Sequence, residues 1–238
     1  MIRSILLFSM LLGFFFSCAG QGESELYHFM LQRSTKGDIQ LMKPKFLSGF
    51  NPGGYTNQPA FTPQGHLLVS VRGKNDLQND IWLLNVSSGR LRRLTNTSAY
   101  EYSPQIHPDE ERLSFLQKTG DTPLHQQVCT VPLKGGEKEV VTPDFEDVGY
   151  YTWLSDHELG LFRIDESGYR LSYYDATERK SRRITSPIGR TLLTDGEGNL
   201  IYLHKYAEDV WYIKKYHPKT SAIDIIIQAK GKNEDFAL

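Results

Sequence analysis

Short apolar runs alternate with turn residues along most of this chain, and no stretch sustains helical spacing. Pro59 to Val71 reads as strand, turn, strand, with β-favouring residues on either side of Pro63-Gln64-Gly65. Pro104 to Phe115 repeats the arrangement around Pro108-Asp109-Glu110. Thr152 to Phe162 is a third copy with a tighter turn, and Leu192 to Tyr202 is a fourth, turning at Asp195-Gly196-Glu197-Gly198-Asn199. A further strand follows each hairpin: Asp80 to Asn85, Gln127 to Val131, Tyr169 to Tyr174 and Val210 to Lys214. Turns such as Ser88-Gly89 and Gly135-Gly136 then lead to a closing strand that ends on Leu-Thr or its equivalent.

These endings set a period. Ser48, Thr95, Thr142, Thr185 and Gln228 are separated by steps of about 43 to 47 residues, the length of a four-stranded propeller blade. The predicted fold is therefore all-β, a β-propeller of four-stranded antiparallel blades at 55–97, 99–143, 146–187 and 189–229. A β-sandwich would need the regularity to be chance, and four copies in one frame argue against it. Residues 25–48 read as the two outer strands of a closing blade, Glu25 to Leu31 and Ile39 to Ser48. Residues 232–238 read as the start of a further one.

The copy Pro59-Ala60-Phe61-Thr62-Pro63-Gln64-Gly65-His66-Leu67-Leu68 fits the pattern Pro-x-Phe-x-Pro-x-Gly-x-x-Leu. It resembles the PD40 repeat of the TolB-like, WD40-like propellers. The copy at Pro104 keeps both prolines and Asp109 but carries Glu110 where glycine is expected; the third and fourth copies lack the prolines. The resemblance spans residues 25–238 and implies a propeller that binds a partner in the cell envelope. Secreted proteins of this type typically form six blades, so the resemblance also implies a truncated chain, short of one blade and an inner strand pair.

The first twenty residues read separately. Met1-Ile2-Arg3 is a short positive start, Ile5 to Phe16 is an apolar run, and Ser17-Cys18-Ala19-Gly20 supplies small residues for cleavage. That layout is a secretory signal at 1–20, too short for a membrane span. Phe15-Phe16-Ser17-Cys18 resembles a lipoprotein signal, which would make Cys18 the lipidated N-terminus; cleavage after Ala19 or Gly20 is the alternative. Both export the protein, either free in the periplasm or lipid-anchored to the outer membrane. The 27 Lys and Arg nearly balance the 28 Asp and Glu, so no net field favours nucleic acid. Cys129, inside a strand-like run, reads as a buried free thiol.

No Gly-x-Ser-x-Gly, His-Glu-x-x-His or phosphate loop occurs, and the seven His stand singly. Asp195 to Asn199 lacks the ligand alternation of a calcium loop and reads as a tight turn. No metal or cofactor is expected. Recurrent polar and aromatic residues lie just before each inner strand, where a propeller opens its channel mouth: Tyr55 and Asn57, Glu101 and Tyr102, Asp147 and Tyr150, Arg190, Glu234 and Asp235. Rings that stack beside groups that orient suit a peptide segment or a glycan. The expected function is a non-catalytic binding or scaffolding module for an envelope protein or glycan. The alternative is a propeller hydrolase or lyase, or the propeller of a peptidase, with Glu101, Asp147 and Asp235 as acid and base.

Overall fold

The computed structural model describes residues 3–5, 23–35, 37–119, 125–166 and 168–237. Every regular element among them is a strand. The chain divides into two compact units, Met1–Ser98 and Ala99–Leu238.

The first unit holds two sheets. β1 (Arg3–Ile5), β2 (Tyr27–Arg33) and β3 (Ile39–Phe46) form one in that order, with Tyr27 opposite Phe46. The β2–β3 hairpin is the strand pair expected at 25–48. β1 comes from the segment read as an export signal and pairs with Phe29 to Leu31. Cys18 and the rest of 6–22 lie outside the described residues. The second sheet is a meander of β4 (Tyr55–Phe61), β5 (Leu67–Arg72), β6 (Asp80–Leu84) and β7 (Leu91–Arg93). Leu26 and Leu47 pack with Leu67, Val69, Val71 and Leu84 to form the core of this unit.

The second unit holds three meanders. They are β8 (Tyr100–Ile106), β9 (Arg112–Lys118), β10 (Gln126–Pro132) and β11 (Glu139–Val140); β12 (Val148–Trp153), β13 (Glu158–Asp165), β14 (Gly168–Asp175) and β15 (Lys180–Thr185); and β16 (Ile188–Thr194), β17 (Leu200–Ala207), β18 (Val210–Tyr216) and β19 (Ile223–Gln228). With the β4–β7 sheet these make four antiparallel four-stranded blades of a β-propeller, as expected. Residues 229–237 form no strand.

The second strand of every blade is its most buried, and there the sequence is apolar on both faces rather than alternating: Leu67 to Val71, Leu113 to Leu116, Leu159 to Phe162, Leu200 to Leu203. Such a strand needs cover on two sides, and the neighbouring blade supplies it. Tyr151 and Trp153 of β12 pack with Leu116 and Val128 of the preceding blade, and both donate to Ser114 Oγ at 2.9 Å. Ser114 in turn donates to the Gln105 carbonyl at 3.2 Å, so its one hydrogen and two lone pairs are all used. On the other side of this blade, Gly160 leaves room for Leu200; a Cβ at Gly160 would lie 2.6 Å from Leu200 Cδ1. Cys129 is buried in β10 as a free thiol, and burial pushes its pKa up to about 11. The Asp195 turn closes on its own backbone: the carboxylate accepts from the amides of Glu197 and Asn199.

The repeat markers have a structural cause. β7 has three residues and β11 two, so each third strand extends beyond its outer partner and leaves a buried amide facing no strand. The marker hydroxyl accepts it. Ile81 N donates to Thr95 Oγ1 at 2.8 Å and Val128 N to Thr142 Oγ1 at 2.9 Å. In the N-terminal sheet Leu26 N donates to Ser48 Oγ at 2.8 Å. All three hydroxyl residues are buried. The remaining markers, Thr185 and Gln228, end six-residue outer strands and stay within their ladders, opposite Leu171 and Tyr212.

The repeat prolines also have a place. β4 is bulged between Asn57 and Ala60, and β8 between Tyr102 and Gln105. Pro59 and Pro104, which have no N–H to offer a ladder, sit in those interruptions. The following turn takes a left-handed residue: Gly65 at φ 77° in one copy and Glu110 at φ 58° in the next.

Two stability measurements follow. Thr142→Val keeps shape but leaves the Val128 amide buried without an acceptor, and should cost about 1–3 kcal/mol by urea unfolding, while Thr142→Ser costs much less. Glu110→Gly removes the left-handed penalty of about 1–2 kcal/mol, partly offset by the greater freedom of glycine when unfolded. A net gain of about 0.5–1 kcal/mol is expected; a loss would show that the Glu110 side chain is needed.

Candidate functional site

Most of the residues expected in connections before the inner strands lie within those strands. Tyr55 opens β4 and is buried, its carbonyl accepting from Asn51 Nδ2 at 3.0 Å. Asn57 is half-buried at the β4 bulge, with Oδ1 accepting from Gln58 N at 2.7 Å. Glu101 is fully buried in β8, opposite Gln117 of β9, and Tyr102 joins the core between blades. None of Tyr55, Glu101 or Tyr102 offers its side chain to solvent.

Asp147 immediately precedes β12. Its Oδ1 accepts from Arg163 Nε at 2.7 Å and its Oδ2 from Arg170 Nη2 at 3.2 Å; Arg170 also pairs with Asp165. The Arg163 guanidinium lies 3.8 Å above the Phe145 ring. Asp147 is thereby tied into a network that fixes the β12–β13–β14 side of its blade.

The remaining residues converge. Tyr150, on β12, rests its ring edge-on against Phe162 at 5.4 Å, and its phenol shares the electrostatic surroundings of Arg190, Asp235 and Glu234; burial raises its pKa. Arg190, on β16, grips Asp235 with both nitrogens of its fork, Nε to Oδ1 at 3.0 Å and Nη2 to Oδ2 at 2.5 Å. Thr191 Oγ1 donates to the same carboxylate at 3.0 Å. Glu234 Oε2 accepts from the Arg190 amide at 3.3 Å, and Lys205 Nζ donates to Glu234 Oε1. The Lys205 ammonium lies 5.0 Å from the Trp211 ring centroid.

Thr191 and Lys205 were missed in the sequence reading. Thr191 adjoins Arg190, so adjacency was an available signal. Lys205 is brought there by hairpin register: its amide donates to the Pro187 carbonyl at 3.0 Å, beside the start of β16.

The electrostatics are of one kind. The Arg190 guanidinium holds the Asp235 carboxyl below its ordinary range, and the same bond raises Arg190. The cluster holds the Asp235 carboxylate in its ionised form. Among the described residues, no three His, Cys, Asp or Glu side chains gather in a metal-binding arrangement.

Successive four-stranded meanders, each with its second strand buried on both faces, define a β-propeller, and solved structures share this fold. TolB from Acinetobacter baumannii matches with a TM-score of 0.60 at 14% identity, over 84% of this chain and 49% of its own. A putative TolB from Agrobacterium tumefaciens matches with a TM-score of 0.61 at 13% identity, over 87% of this chain and 78% of its own. A puromycin-hydrolyzing peptidase from Mycobacterium tuberculosis matches with a TM-score of 0.62 at 14% identity, over 88% of this chain and 39% of its own. The fold is the TolB-like propeller, and at these identities the likeness concerns the fold alone. The chain spans less than half of the peptidase and of the Acinetobacter protein. No protein-family model and no curated protein sequence match it.

The Arg190–Asp235 pair has a pH signature. A carboxyl whose folded pKa is depressed contributes above its unfolded value, near 3.8, and the contribution fades as pH falls through the folded one. The pair is half-exposed, so salt weakens it. Backbone heteronuclear NOE values at Phe236 and Ala237 should be high near pH 6.5 and fall below about pH 4. Asp235→Asn should show the low values at both pH settings; unchanged values in that variant would mean that the pair does not tether the segment.

Proposed function

We propose that this chain is an exported, non-catalytic propeller module that binds a protein segment or a glycan in the cell envelope. The observation that carries the reading is the cluster of Arg190, Thr191 and Lys205 beside Tyr150 and Trp211. It is a cationic patch with half-exposed Arg190, already engaged with carboxylates and backed by the buried Trp211 ring. Export rests on the positive start, the apolar run and the small residues of 1–20, with Cys18 as the lipid attachment point of an anchored form. The TolB likeness supports a protein-binding role by fold analogy.

A non-catalytic role is supported by what the carboxylates do. Asp147 is held between two guanidinium groups, Asp235 stays ionised against Arg190, and Glu101, fully buried, is out of a substrate's reach. A general acid must carry a proton near working pH. The second reading, the propeller of a peptidase, is favoured by the likeness to the mycobacterial peptidase and concerns a longer protein.

The test is to screen the purified chain against peptide and glycan arrays, then recover the bound ligands and weigh them. Saturable binding with ligand returned intact is the expected result. Cleaved ligand, with cleavage lost in Asp235→Asn, would overturn the non-catalytic reading.

A further inference from the structure

We propose that Arg190, Thr191 and Lys205 form a recognition subsite for an acidic peptide segment, and that Glu234-Asp235 occupies it in cis. The inference rests on the binding-module reading above and narrows its ligand from peptide or glycan to a segment bearing adjacent carboxylates.

The two partners of this contact differ in kind. All the donors belong to β16 and β17, neighbouring strands of one blade; Arg190 and Thr191 lie in the register break of β16 between Ile188, opposite His204, and Leu192, opposite Tyr202. The acceptors belong to residues 229–237, which form no strand. The contact thus joins donors carried by two strands of a blade to an irregular peptide. Asp235 receives three bonds, two from the Arg190 fork and one from the Thr191 hydroxyl. Glu234 receives two, one on each oxygen, from the Arg190 amide and the Lys205 ammonium. Five donors therefore meet two neighbouring side chains. Near the subsite the segment has one other ion pair, Lys232 with Asp209 at 3.0 Å, and both of those side chains are largely exposed.

The chemistry favours carboxylates over sugar hydroxyls. The guanidinium fork matches the two oxygens of a carboxylate in one plane, and each such bond is charge-assisted. A neutral glycan would leave the charges of Arg190 and Lys205 uncompensated. Donors that meet two adjacent carboxylates suit a short run of the form Glu-Asp, which is the sequence Glu234-Asp235 itself. A segment joined to its own site competes at high effective concentration, on the order of millimolar for a short tether. The subsite therefore admits an outside peptide only when the cis segment is released.

The experiment uses the full chain and a fluorescein-labelled peptide of sequence Lys-Asn-Glu-Asp-Phe-Ala, titrated by anisotropy at low salt. The double variant Glu234→Gln/Asp235→Asn vacates the subsite and is expected to bind the probe saturably, at least about tenfold more tightly than the parent chain. Adding Arg190→Gln should abolish binding, and Arg190→Lys, which keeps charge but loses the fork, should leave a weakened remnant. A probe with Gln-Asn in place of Glu-Asp should not bind. Circular dichroism melts of each variant confirm that the blades remain folded. Failure of the vacated variant to bind at millimolar probe, or binding indifferent to Arg190 and to the probe carboxylates, overturns the proposal. Glycan binding that survives Arg190→Gln would sink the acidic-peptide inference and keep the binding-module reading. Absence of any array ligand would sink both.

Discussion

The blades of this chain depend on a hydroxyl placed two residues beyond the outer strand. A β-sheet edge buried without a partner leaves its amides unsatisfied, and each such group costs about as much as a lost hydrogen bond, roughly 1–3 kcal/mol. β7 and β11 are too short to cover the third strands beside them. Thr95, Thr142 and Ser48 complete the coverage, which frees the chain to leave one blade and enter the next at that point. At Thr95 and Thr142 the hydroxyl thus makes up for a short outer strand, while Ser48 does the same past the eight-residue β3. In β15 the same position stays in the ladder, and Thr185 Oγ1 instead faces His204 Nε2 at 3.2 Å.

That dependence explains why the fold was legible from the sequence. The markers are local: a Thr ends each of three blades, a proline sits in each of two bulges, and a glycine or its substitute turns the hairpin. Each is fixed by its immediate backbone need, so spacing alone recovers the blade frame. The runs Leu-Leu-Val-Ser-Val and Leu-Ile-Tyr-Leu declare strands buried on both faces without any knowledge of their neighbours.

The site was legible only in part, for a reason that follows from the same geometry. The inner strands begin earlier than their prolines and turns imply, so Tyr55, Glu101 and Tyr102 belong to the ladder rather than to a loop. Once in a strand, a side chain's exposure is set by period-2 alternation, and the bulges at Asn57–Ala60 and Tyr102–Gln105 reset that alternation. A linear reading sees the residue types but not the reset. Lys205 was invisible for a related reason. It lies far along the chain from Arg190, and only the β16–β17 hairpin brings the two together.

The fold leaves two roles open, since propellers occur in TolB and in peptidases alike, and the chemistry of the assembled cluster bears on the proposed one. A carboxylate that works as a general acid must have its pKa raised toward neutrality, by burial or by a like charge. Asp235 has the opposite surroundings: a guanidinium fork and a hydroxyl, each stabilising the ionised form. Asp147 is engaged by hydrogen bonds from Arg163 and Arg170. Environments that hold carboxylates ionised are poor at giving up protons and good at holding charged groups in fixed orientation. In the Arg190 cluster the charge being held belongs to an irregular segment of the chain, and the donors holding it belong to two strands of a blade. That arrangement is what the proposed subsite and its cis ligand require.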